Sequence, residues 1–232
     1  IGESYIRIHN SSNDDGSAFV SLRDAESGIR LGRWVSPNIP AHASLQFTIS
    51  QLETEAMADI PIVATDRMYY NIVIETEFEG SAQHVLWQRP SGVISNMTSC
   101  AGGVNGGKKS LSNVHSPGVI QYPSSVRIYN SGTAGESAVL DIYNANTGDL
   151  IGTWSSRNID ARAALEISVT EIVVDLNLVS NEDNIDESGT TNDLPNHINI
   201  EMRDSFNGHL QHTVLNSLSQ VLTDMSAKCD LD

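Results

Sequence analysis

From Tyr5 to Leu52 this chain is repeated, without a gap, at residue numbers higher by 120. Tyr5-Ile6-Arg7-Ile8-His9-Asn10-Ser11 becomes Ser125-Val126-Arg127-Ile128-Tyr129-Asn130-Ser131. Arg7/Arg127, Ala18/Ala138, Gly28/Gly148, Gly32/Gly152, Trp34/Trp154, Asn38/Asn158, Ile39/Ile159 and Leu45/Leu165 are identical pairs. The register then slips by eight residues and the repeat resumes at an offset of 128, pairing Asn71/Asn199, Ile72/Ile200, Phe78/Phe206, Gly80/Gly208, Gln83/Gln211, His84/His212 and Met97/Met225. A duplication constrains the fold more than any motif, because one unit must satisfy both copies. Each copy, at roughly 100 residues, is long enough to bury its own core. The spacing divides the chain into a first repeat over 1–100, a Gly-rich linker over 101–122 that opens Ala101-Gly102-Gly103-Val104-Asn105-Gly106-Gly107, and a second repeat over 123–232.

Within a copy the apolar residues alternate with period two, the mark of half-buried strands. Ile6 and Ile8 share one face of Tyr5–His9, and Ala18, Val20 and Leu22 one face of Ser17–Asp24. Further strands are expected over about 29–35, 43–49, 69–76, 82–88 and 92–97. Ala25-Glu26-Ser27-Gly28, repeated as Ala145-Asn146-Thr147-Gly148, reads as a hairpin turn with Gly at a positive φ. Ser50-Gln51-Leu52-Glu53 has capping-box spacing, so one helical turn is expected there; Val173 at the Glu53 position weakens it in the second copy. The eight extra residues of the second copy fall in the acidic, polar segment 180–189, which reads as a surface loop. Six or seven short antiparallel strands per unit give an all-β chain of two tandem homologous β-sandwiches. This architecture resembles the immunoglobulin-like and fibronectin-III-like modules repeated in bacterial surface proteins.

The formal charge of −16, from 29 acidic and 13 basic residues, argues against nucleic acid and anionic membrane as partners. No apolar run approaches the ~20 residues of a membrane helix, so membrane insertion is not expected. With only 18% charged residues, the surface is dressed in Ser, Thr, Asn and Gln, as on many secreted proteins.

Candidate chemistry is sparse. Cys100 and Cys229 close the two copies at matching positions; they pair with each other, bridge to neighbouring chains or stay free thiols, and any bridge places the chain in an oxidising compartment. His84 and His212 share the pattern Gly-x-x-Gln-His, but alternation turns both inward, which favours hydrogen-bonded core histidines over metal ligands. His9, His42, His115, His197 and His209 show no metal spacing. Trp34 and Trp154 are expected to pack over the core; a sugar-stacking role requires exposed indoles. Asn10–Gly16 and the acidic run 181–187 cluster oxygens of the kind calcium takes, without completing an EF-hand pattern, so calcium is a weak candidate and no other cofactor is expected. Asn10-Ser11-Ser12 and Asn96-Met97-Thr98 match the glycosylation acceptor pattern, which arises often by chance. Nucleophile-elbow, phosphate-loop and dinucleotide signatures are absent. The expectation is a non-enzymatic, secreted or cell-surface structural protein that self-associates or binds other surface proteins in a filament, coat or adhesive layer. A polysaccharide-binding module using Trp34 and Trp154 is the alternative, and an accessory subunit of an envelope complex a third.

Overall fold

The computed structural model describes residues 2–58, 69–98, 108–178 and 194–226. The chain divides into two compact units, Ile1–Thr98 with Asp160–Ala164, and Ser99–Ile159 with Leu165–Asp232. The described residues form four four-stranded sheets whose paired strands run antiparallel, with two short helices, so the all-β expectation holds.

In the first unit the elements are β1 (Gly2–Asn10), β2 (Ala18–Asp24), β3 (Arg30–Val35), β4 (Ser44–Thr48), α1 (Ile49–Glu55), β5 (Met57–Ala58), β6 (Tyr70–Thr76), β7 (Gly80–Gln88) and β8 (Val93–Asn96). One sheet has the order β4-β1-β7-β8 and the other β5-β3-β2-β6. Alternation sends Ile6 and Ile8 of β1 and Phe47 of β4 to the same core as Ala18 and Val20 of β2 and Trp34 of β3. Ile39, Leu52 and Phe78 close that core from the connections and α1. The two sheets therefore share one apolar interior, a sandwich-like arrangement in which each buried aliphatic contributes about 1.5–3 kcal/mol.

The second unit repeats this plan with β9 (Ser110–His115), β10 (Ser124–Asn130), β11 (Val139–Asn144), β12 (Leu150–Ser155), β13 (Ala164–Ser168), α2 (Val169–Asp175), β14 (His197–Met202), β15 (Gly208–Asn216) and β16 (Val221–Asp224). Its sheets are ordered β13-β10-β15-β16 and β12-β11-β14-β9. Val126, Ile128, Leu140, Ile142, Ile198 and Ile200 are fully buried.

Three features differ from the sequence reading. Ser110–His115, inside the segment expected as linker, is a strand, because Leu111 and Val114 bury as tightly as any core residue, at 2% and 0% exposure. Only 101–107 of that segment's Gly-rich part lies outside the described residues, as do the insertion 180–189 and both cysteines, Cys100 and Cys229. The helix starts earlier than the sequence pattern places it: Thr48, not Ser50, is the N-cap, its hydroxyl accepting from Gln51 N–H at 3.0 Å. The full capping box forms in the second unit, where Ser168 and Glu171 satisfy each other's backbone N–H groups. The two turn glycines behave as expected, with φ of 68° at Gly28 and 77° at Gly148. Gly80 and Gly208 recur for another reason: a Cβ there would sit 2.1 Å from the His9 carbonyl oxygen or 2.0 Å from that of Tyr129.

Candidate functional site

Several polar residues that recur in both copies are spent inside the scaffold. Asn10 ends β1 and Asn130 ends β10, with exposures of 0% and 2%. The Asn130 amide donates to the carbonyls of Ala134 and Ile159 at 2.9 and 2.8 Å, and its oxygen accepts from Gly132 N–H at 2.7 Å. Asn10 donates likewise to Asp14 and Ile39 at 2.8 and 3.1 Å. Ser36 and Ser156 accept from the N–H of Ala18 and Ala138. Each of these pins a connection to one end of a strand, where backbone groups have left the ladder and need a partner.

Trp34 and Trp154 are buried at 8% and 6% exposure, and each indole N–H donates to an acid at the helix end, Glu55 at 3.1 Å and Asp175 at 2.9 Å. Trp34 also packs on Phe47 with ring centroids 4.8 Å apart. A sugar-stacking platform needs an exposed ring face, and these two residues do not supply one. The tryptophan missed by sequence reasoning is Trp87, which has Leu215 as its counterpart and so carries no repeat signal. It lies on β7 at 36% exposure, with the Arg89 guanidinium 5.1 Å from its ring centroid and Arg89 paired to Glu3 at 2.6 Å. Ile94, opposite it on β8, is 69% exposed.

The paired histidines turn inward and bond to an equivalent serine: His84 Nε2 lies 3.0 Å from Ser4 Oγ, and His212 Nε2 2.9 Å from Ser124 Oγ. Burial, and then the positive charges of His115 and Lys108, push the His212 pKa down to about 4. In the second unit His115 gathers near His197 and His212, with ring centroids 5.2 and 6.4 Å away, beside a cavity of about 190 Å³ lined by Ser116, Ile120 and Pro123 among others. Typical small-molecule sites are larger, about 300–1,000 Å³. Because the serine–histidine pair also exists in the first unit, it is best explained by core satisfaction rather than nucleophilic chemistry. His209 is a further buried imidazole, stacked on Tyr129 at 4.5 Å, and burial lowers its pKa to about 4.

Among the described residues, no set of three His, Cys, Asp or Glu is arranged to hold a metal ion. In the loop 10–16 the Asp15 carboxylate accepts from Ala41 N–H at 2.9 Å and from the Asn38 amide at 3.2 Å, so its oxygens serve the neighbouring connection. Of the two glycosylation patterns, Asn10 is sealed in the interior, whereas Asn96 is exposed and accepts from the Thr98 hydroxyl at 2.6 Å. Arg7 and Arg127, the shared outward residues of the first strand, diverge in their partners. Arg7 donates to Gln46 and Gln83. Arg127 pairs with Glu166; burial opposes its charge, but Tyr129 and Glu166 outweigh burial and raise the guanidinium pKa.

Among the described residues the two units also differ at one sheet edge. In the second unit β14 has strands on both sides, β11 and β9. In the first unit its counterpart β6 pairs with β2, and among the described residues the sheet ends there. Ile200 and Met202 of β14 are 0% and 4% exposed, while Ile72 and Ile74 of β6 are only partly buried. Comparison with protein-family models, curated proteins and solved structures finds no match to this chain.

Proposed function

We propose that this protein is a non-enzymatic structural subunit of a secreted or cell-surface assembly, built from two tandem immunoglobulin-like sandwiches. The observation that carries the reading is the duplication of one all-β unit whose recurring buried side chains, Asn10/Asn130, Ser36/Ser156 and Trp34/Trp154, are bonded within each scaffold. The repeated polar residues support the same reading, because they are engaged in holding connections and cores rather than aimed at a common point in space. The burial of Trp34 and Trp154 favours this reading over a polysaccharide-binding module. A bridge between Cys100 and Cys229, or from either to a neighbouring chain, remains part of the proposal and fits an extracellular setting.

The test is the state of the protein isolated from its source. Electron microscopy and multi-angle light scattering should show polymers or a defined multi-subunit complex. Dispersed monomers, with and without divalent cations, would remove the reading.

A further inference from the structure

Three histidines meet in the second unit, each brought by a different strand. His115, the last residue of β9, lies directly opposite His197, the first residue of β14, with ring centroids 5.2 Å apart. His212 of β15 meets the same His115 ring edge-on at 6.4 Å. His212 is 2% exposed, and the other two are half-buried. Because the Tyr122 carbonyl can only accept, the His115 Nδ1 that lies 3.1 Å from it carries a proton, and Nε2 keeps its lone pair. That bond closes a strap, residues 116–123, which carries the chain from β9 to β10. The strap is further held by Ser116 N–H donating to Asn196 O at 3.0 Å, and by Leu215 and Ser217 N–H donating to Pro123 O and Gln121 O at 3.1 Å. The strap and Val169 of α2 wall the cavity of about 190 Å³, and Ser124, just past the strap, holds His212 at 2.9 Å.

The charges that act on this cluster have one sign. Burial, then His115 and Lys108, disfavour a proton on His212. Lys108 donates to Ser226 O at 3.3 Å, and Ser226 Oγ accepts from the His212 N–H. The acids of the neighbouring elements are engaged elsewhere: Glu171 of α2 with Ser168, Asp175 with the Trp154 indole, Asp224 of β16 with Gln211, and Asp141 of β11 with Arg203. On β14, Glu201 lies opposite Ser110 at the far end of β9, and β11 reaches His197 through Ala145, whose N–H donates to its carbonyl. The Tyr122 ring is 6.2 Å from His115, and Arg127 of β10 pairs with Glu166. His209 is on the opposite face of β15, stacked on Tyr129. Among the described residues no carboxylate is bonded to any of the three imidazoles. Acid therefore sets like charges directly opposite each other across β9 and β14, which destabilises a strand pair, and forces an uncompensated cation into the interior. His212 sits near 4 while the strap is closed, against about 6.5 once water reaches it. The closed state is thus fully favoured above about pH 6.5 and loses that advantage as pH falls toward 4. In the first unit the His84–Ser4 bond recurs, but Tyr69 stands where the second unit has His197.

We propose that His115, His197 and His212 form an acid-operated latch: protonation releases the strap 116–123 from β15 and opens the cavity beneath it, while the rest of the sandwich stays folded. Amide exchange on the full chain tests this, read as opening constants so that the intrinsic pH dependence of exchange drops out. Between pH 7.5 and 5.0 the opening at Ser116, Leu215 and Ser217, whose N–H groups hold the strap, should rise at least tenfold; one group moving from about 6.5 to about 4 gives about thirtyfold. At pH 5.0 Ile128 and Leu140, in the core of the same unit, should remain at least tenfold more protected than the strap. His212→Gln should reduce the acid response to less than threefold. His197→Tyr, which installs the residue of the first unit at a half-buried position, should weaken it at least twofold. A second readout uses the unaltered chain and does not depend on a variant folding: imidazole resonances followed by NMR should give His212 a pKa below about 5. Strap opening that is equal at the two pH values overturns the proposal. So does opening no larger than that of Ile128 and Leu140, which is global unfolding, a tenfold response that persists in His212→Gln, or a His212 pKa of 6 or above. His209 is present in every variant, so its own share of acid sensitivity is common to all of them.

Discussion

Replacing Asn130 by Ala removes three hydrogen bonds at once from a side chain that is 2% exposed. The damage is uneven. Ile159 O keeps the Glu136 N–H as a partner at 3.1 Å, whereas the bonds to Ala134 O and Gly132 N–H lie at the margin of the core, where water can partly replace them. At about 1 kcal/mol net per bond, with a small addition for lost packing, the loss is about 3 kcal/mol. For a unit of this size that is a fall of about 12 °C in its melting temperature. Asn130→Asp should do more harm at neutral pH, because an acceptor oxygen then faces two carbonyl oxygens that the amide now holds at 2.8 and 2.9 Å. Trp154, buried in the same unit, reports the transition by fluorescence in a background of Trp34→Phe and Trp87→Phe, with urea titration giving the free energy. A loss below 1 kcal/mol for Asn130→Ala, or an Asp variant as stable as the parent, would refute the claim that this side chain pins the strand end.

Other outcomes follow from the same structure. The folded pKa of His209 is about 4 against an ordinary 6.5, so its contribution to stability is complete above about pH 6.5 and lost as pH falls toward 4, by about 3 kcal/mol. His209→Phe keeps the stack on Tyr129, and urea unfolding across that window should show a shallower pH dependence; an unchanged slope would remove His209 from the acid response. Single-tryptophan variants should divide by acrylamide quenching, with Trp87 readily quenched and Trp34 and Trp154 protected; equal quenching would contradict their burial. Ser168→Ala, which dismantles a complete capping box, should cost about 1 kcal/mol by urea unfolding and more than Thr48→Ala, which removes a single cap bond.

Much of the architecture was legible because alternation reports which face is buried. Ile6, Ile8, Ala18 and Val20 point inward as their period requires, and the inward histidines found the hydroxyl partners that burial demands. The helix start was misplaced because Thr48 and Ser50 are both capping residues two positions apart, and sequence alone does not say which one leaves the strand. Strand β9 was missed because its flanks dominate its pattern. Lys108-Lys109 before it, and Ser116-Pro117-Gly118 after it, read as linker, while Ser112-Asn113 at the register shift breaks the period between Leu111 and Val114. A bulge moves an inward side chain from two residues away to three, so a search for strict alternation passes over it.

That missed strand also changes the meaning of the duplication. Shared residues identify what both units need to fold: the Asn10/Asn130 knot, the Trp34/Trp154 bond to the helix end and the close approach at Gly80/Gly208. Such residues are poor guides to function, since selection for the fold alone accounts for them. Function is better sought where two copies of one scaffold part company. Trp87 faces outward where the second copy has Leu215, and Arg7 holds two amides where Arg127 holds a carboxylate.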